Sequence, residues 1–91
     1  MKSVVWSTTA RDELDLIWMM IARRDAGAAG RFIDVIDDRI ALLREFLHLD
    51  SLTDRGDRKL SLGRYPYVPS YAVTSTAIRI LALRHMARAP R

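Results

Sequence analysis

No cysteine occurs in the 91 residues, which excludes a disulfide framework and a thiolate zinc site and fits a reducing cytoplasm. Histidine is nearly as scarce. His48 and His85 stand 37 positions apart, a spacing unlike any metal-ligand set, so no metal and no cofactor are expected. Long apolar runs are missing as well: nothing approaches the ~20 residues of a membrane span, and no apolar core of a signal peptide follows Lys2. The expectation is a soluble, unprocessed, cytoplasmic protein with no membrane partner. Acidic residues are absent from one region only, since none follows Asp57.

That last absence divides the chain. Residues 1–50 carry seven Lys or Arg against nine Asp or Glu, a net of −2, whereas residues 51–91 carry eight against two, a net of +6. Such asymmetry points the C-terminal part towards an acidic or polyanionic partner. The length fits one domain spanning residues 1–91, with a core that buries about 60–65% of the unfolded surface. No repeat or low-complexity segment interrupts it.

A β-branched and aromatic run, Lys2–Trp6, predicts a short first strand. Ser7, Thr8 and Thr9 follow as candidate helix caps, and Thr9 with Asp12 gives the hydroxyl-x-x-acid pattern of a helix start. In the first helix Ala10, Leu14, Ile17, Trp18 and Ile21 recur at helical spacing as one buried stripe. Leu16, Met19 and Met20 fall outside it, which calls for a second buried neighbour or a partner surface. Asp25–Gly27 breaks the pattern. A second helix is predicted from about Ala28 to His48, with Ala29, Phe32, Ile33, Ile36, Ile40, Leu43 and Leu47 as its seam. Asp34, Asp37 and Asp38 sit among Arg31, Arg39 and Arg44, where pairing at three and four residues explains them better than a magnesium or acid/base site. His48 reads as a surface or dipole-compensating residue.

Residues 49–58 are a polar connection. Beyond them Lys59–Leu62, Tyr65–Val73 and Ala77–His85 are predicted strands, with turns at Gly63-Arg64 and Thr74–Thr76. The order is βααβββ: an α+β fold with an antiparallel sheet packed on a helical hairpin. In the final strand simple alternation puts Ile78, Ile80, Ala82 and Arg84 on one face and Arg79, Leu81, Leu83 and His85 on the other. Both faces are partly apolar, as in a central strand or one covered by another chain. Tyr65, Tyr67 and Tyr71 share a parity beside Arg64, which reads either as a half-buried packing face or as a stacking platform for single-stranded nucleic acid. Pro69 predicts distorted pairing near Pro66–Ser70, or an exposed edge.

The run RKLSLGRYPYVPSYAV, the strand IRIL and the ending LRHMAR resemble the toxins of type II toxin–antitoxin systems in the RelE/ParE superfamily, the ParE branch in particular. The helical portion ARDELDLIW…AGAAGRFIDVIDDRIALL is similar to that family's first two helices. The resemblance implies a growth-arresting toxin neutralised by a co-encoded, ParD-like antitoxin, which alone would contact operator DNA. It also implies DNA gyrase as target and a poison that acts by binding rather than as an enzyme. RelE-type relatives instead cut messenger RNA on the ribosome, and a degenerate toxin kept as an antitoxin-binding module is a further alternative.

The candidate target-binding residues are Lys59, Arg64, Tyr65, Arg79, Arg84, His85 and Arg88. Under the nuclease alternative His85 would be the proton-transfer group. The candidate antitoxin-binding residues are Leu16, Trp18, Met19, Met20, Arg79 and Arg84, over which a folding, acidic antitoxin tail would lie. The chain departs from the family pattern at Ala72 and Ala82, where arginines are common, and at Met86, where a glycine usually follows the histidine. Losing two cations weakens the phosphate clamp that RNA cleavage needs.

Overall fold

Ser7 sets the start of the architecture. Its amide donates to the Ile80 carbonyl at 2.9 Å, and its hydroxyl accepts from the Ala10 amide at 3.0 Å. One residue thus ends a strand and caps a helix. The expected Thr9–Asp12 box is displaced, because the helix already begins at Thr8. A computed structural model describes residues 2–49 and 58–86, with side chains to residue 46 in the first of these segments. Residues 50–57 of the polar connection, Arg88, and the side chains of Leu47, His48 and Leu49 lie outside the described residues.

The elements are β1 (Ser3–Trp6), α1 (Thr8–Arg24), α2 (Ala26–Leu49), β2 (Arg58–Lys59), β3 (Tyr67–Val73) and β4 (Ala77–His85). They form the expected α+β arrangement, with one sheet in the order β1-β4-β3-β2. The meander β2–β3–β4 is antiparallel, as expected. β1 instead joins β4 in parallel, so the sheet is mixed. Parallel neighbours need a crossover, and the two helices supply it. β4 is accordingly central, which explains why both its faces carry apolar residues.

α1 buries Ala10 and Ile17 and half-buries Leu14 and Ile21. Trp18 leaves the expected stripe and is 43% exposed, because the sheet and α2 cover only one side of the helix. Asp25 alone joins the helices. Its amide closes α1 on the Ile21 carbonyl at 2.9 Å, and its Oδ1 accepts from the Ala28 amide at 3.1 Å. A cap on each side lets α2 begin at Ala26, two residues earlier than the sequence suggests. Along α2, Ala29, Phe32, Ile36 and Ile40 are buried as expected.

The arginines of α2 do not take the expected partners. Arg39 Nη1 donates to the Ser61 carbonyl at 3.1 Å, Arg44 Nε to the Lys2 carbonyl at 3.0 Å, and Arg31 pairs with Asp25 at 3.6 Å. For Arg39 and Arg44, backbone carbonyls fixed by the fold replace mobile carboxylates, so these two side chains fasten α2 to its neighbours.

β2 is shorter than predicted, and Pro69 gives the reason. By register Leu60 lies opposite Pro69 and donates to its carbonyl at 2.9 Å. A proline has no N–H to return, so the ladder stops there. Leu62 then turns into the core and Gly63 adopts φ 68°, a left-handed conformation open to glycine. Pro66 delays β3 to Tyr67. At the other end of β3, Thr74 organises the predicted turn: Thr76 N and Ala77 N both donate to its Oγ1.

The core lies between helices and sheet. Phe32, Ile36, Ile78, Ile80 and Leu83 are almost wholly enclosed, and the Phe32 ring meets Tyr65 at 5.1 Å and Tyr67 at 5.7 Å. Among the described residues no helix is long and apolar enough to cross a membrane.

Candidate functional site

The alternation of β4 breaks once, with consequences for its arginines. Tyr71 pairs with Ile80 and Ser70 with Ala82, so Leu81 has no partner on β3 and forms a bulge. Beyond it, Leu83 and His85 turn to the helix side, opposite Pro69 and Tyr67, while Ala82 and Arg84 turn away. The simple parity that separated Arg79 from Arg84 is therefore wrong past Ile80. The bulge brings the two arginines onto one face.

That open face can be read from the register, since directly opposed residues share a side. One row is Val5, Arg79 and Ala72; the next is Lys59, Ser70 and Ala82; the last is Arg84 and Val68. Lys59, Arg79 and Arg84 are exposed. The small side chains of Ser70, Ala72 and Ala82 make a low floor among them. No strand contains an acidic residue, so a cationic rim surrounds a floor without carboxylates of its own. Ala72 and Ala82, the two positions where the resemblance leads one to expect arginines, lie on this same floor, which therefore carries less charge than expected where it is flattest.

The remaining candidates are distributed elsewhere. His85 is half-buried on the helix side, its ring edge-to-face with Tyr67 at 5.2 Å. Tyr65 packs tilted and Tyr67 edge-on against Phe32, and Tyr71 is buried, so the tyrosines pack on the core side of the sheet rather than line the open face. Arg64 stands at the Gly63 turn, around a recess of about 410 Å³ shared with Arg31, Asp34 and Arg39.

A second surface runs along α1. Leu16, 61% exposed, and Met20, 59% exposed, line a groove of about 650 Å³ with Glu13, Ile17, Tyr67, Leu83, Arg84 and His85. It continues into a recess of about 520 Å³ past Met20 and Tyr67 to Arg23 and Arg24 at the end of the helix. Of the residues expected to meet an antitoxin, the fold gathers Leu16, Met20 and Arg84 here. Trp18 and Met19 are exposed on neighbouring parts of α1, and Arg79 belongs to the open face. Arg84 stands where the two surfaces meet.

Two contributors were invisible in the sequence. Glu13 Oε1 accepts from the Leu83 amide at 2.8 Å, and Ser7 Oγ donates to the Leu81 carbonyl at 2.9 Å. Both serve the edge of β4 that β1, ending at Trp6, no longer covers. Glu13 carries no motif, and its role depends on a contact 70 residues away.

Comparison with known proteins agrees with this architecture. A search of curated proteins gives no match. Among solved structures, a chain described as "Chromosomal ParDE TA system from P. aeruginosa" superposes with a TM-score of 0.74 at 22% identity, covering 93% of this chain and 96% of the other. That likeness concerns the fold. The sequence profile described as "ParE toxin of type II toxin-antitoxin system, parDE" matches residues 4–90. Since that match takes in both helices, all four strands and the basic ending, the chain belongs to the ParE toxin family of type II toxin–antitoxin systems.

Proposed function

We propose that this ParE-family toxin arrests growth as a single ParE-like domain in the cytoplasm. It binds DNA gyrase through the open face carrying Lys59, Arg79 and Arg84, and a ParD-like antitoxin neutralises it. The observation that carries this reading is the bulge, which brings Arg84 onto the face that Lys59 and Arg79 share and sends the strand's histidine to the other. A surface of this kind binds. It offers an acidic or phosphate-bearing partner charge and shape, while the groups usable for proton transfer, His85 and Tyr67, face the helices. The arrangement favours a binding poison over messenger RNA cleavage.

The antitoxin takes the groove along α1. An amphipathic segment that folds on contact would bury Leu16 and Met20, extend over Trp18 and Met19, and bring acidic side chains to Arg84 and Arg79. Because Arg84 adjoins both surfaces, one ligand excludes the other. Contact with operator DNA passes through the antitoxin.

Gyrase supercoiling and cleavage-complex assays, run with toxin alone and with its antitoxin, test the proposal. Inhibition by the toxin that disappears with antitoxin is the expected result. Inactivity on gyrase combined with cleavage of ribosome-bound messenger RNA, abolished by His85→Ala, would replace this reading with the nuclease one. Silence in both assays would leave an antitoxin-binding module.

A further inference from the structure

We propose that Glu13 is the residue that positions Arg84. The inference rests on the open face being the target surface, but its first test does not. β1 ends at Trp6, opposite Ile80, so the next stretch of β4 has no strand on that side. Left to water, its amide and carbonyl groups would let the bulge at Leu81 shift or spread. The cap and first turns of α1 fill the place of the missing strand with two side chains: the Ser7 hydroxyl holds the Leu81 carbonyl at 2.9 Å, and the Glu13 carboxylate holds the Leu83 amide at 2.8 Å. The two bonds bracket Ala82, the first residue after the unpaired one.

Consider the regular alternative. Without the bulge, Leu81 would oppose Ser70 and Leu83 would oppose Val68, putting both leucines on the open face and turning Arg84 towards Tyr67. Burial of Leu83 disfavours that register, yet burial is non-directional and tolerates a range of backbone positions. A charge-assisted hydrogen bond to one amide is directional. Glu13 therefore fixes where the strand resumes, and with it the separation of Arg84 from Arg79. It touches no target itself.

The absence of cysteine makes the test clean. Spin labels placed on Arg79→Cys and Arg84→Cys report the distance between the two positions by pulsed electron paramagnetic resonance. With Glu13 present the distribution is expected to be narrow. Glu13→Ala should broaden it, and Glu13→Gln, whose amide oxygen still accepts, should restore it. If Glu13→Ala does not fold, Glu13→Met keeps the side-chain length without the acceptor.

A merely structural glutamate would lower the melting temperature and leave the distribution unchanged, and that result would overturn the proposal. Unlabelled variants then enter the gyrase assay, where Glu13→Ala is expected to need at least about tenfold more protein for equal inhibition. A broadened distribution with undiminished inhibition would uphold Glu13 as the positioning residue and reject the open face as the target surface.

Discussion

At the scale of single residues the fold depends on a few side chains that serve two elements at once. Phe32 is wholly buried and supports two tyrosine rings from β3 and the turn before it. Phe32→Ala should cost about 3–5 kcal/mol, enough to unfold much of a chain this small, and urea denaturation would show it as a lost or strongly shifted transition. Ser7 caps α1 and also holds the bulge. Ser7→Ala should cost about 1–2 kcal/mol, with Thr9→Ala close to neutral; equal effects in thermal melts would mean that the cap lies elsewhere. Before the fold is known, Ser7, Thr8 and Thr9 are three equivalent hydroxyls in a row. The choice among them falls to the Ile80 and Leu81 carbonyls of a strand more than 70 positions away, which no local pattern contains.

At the scale of elements the two helices differ in how fully they are used. α2 buries Ala29, Phe32, Ile36 and Ile40 and leaves Leu42 and Phe46 exposed. α1 buries Ala10 and Ile17 and leaves Leu16, Met19 and Met20 exposed, with Trp18 exposed on the flank opposite Leu16 and Met20. Leu16→Glu with Met20→Glu should leave thermal stability within about 0.5 kcal/mol and abolish capture by the antitoxin in a pull-down or calorimetric titration. Retained capture would move the antitoxin off this groove. The surplus of apolar residues on α1 was legible in the sequence, since helical spacing separates the face that one layer can cover from the rest; only Trp18 changed sides. The order of elements was legible for the same reason. The span of β4, Ala77–His85, was legible too, but the facing of its residues past Ile80 was not, because strand alternation assumes one residue per step and the bulge at Leu81 breaks that assumption. Its cause lies in Ser7 and Glu13, on another element. Pro69 announced irregular pairing nearby, and its missing N–H shortens β2 to Arg58–Lys59, so that of the predicted strand Lys59–Leu62 Lys59 alone stays in the ladder.

At the scale of the whole molecule, the division of charge visible in the sequence becomes a division of surfaces. Every carboxylate among the described residues lies on the helical segment or its connections, and the strands carry none. A cationic sheet face should attract an acidic antitoxin tail from a distance. Its association rate should therefore fall about tenfold or more between low and physiological salt, while dissociation changes little. Stopped-flow mixing over that range measures this, and a rate indifferent to salt would contradict the electrostatic part of the account.

The central claim is that the bulge makes one target surface from Arg79 and Arg84. The most direct measurement is gyrase supercoiling in the presence of the wild-type toxin and of the Arg79→Ala, Arg84→Ala double variant, each checked for an unchanged melting curve. The account predicts inhibition by the wild type and a loss of at least about tenfold in the variant. Equal inhibition by both proteins would contradict it, and so would a folded wild type that leaves gyrase untouched.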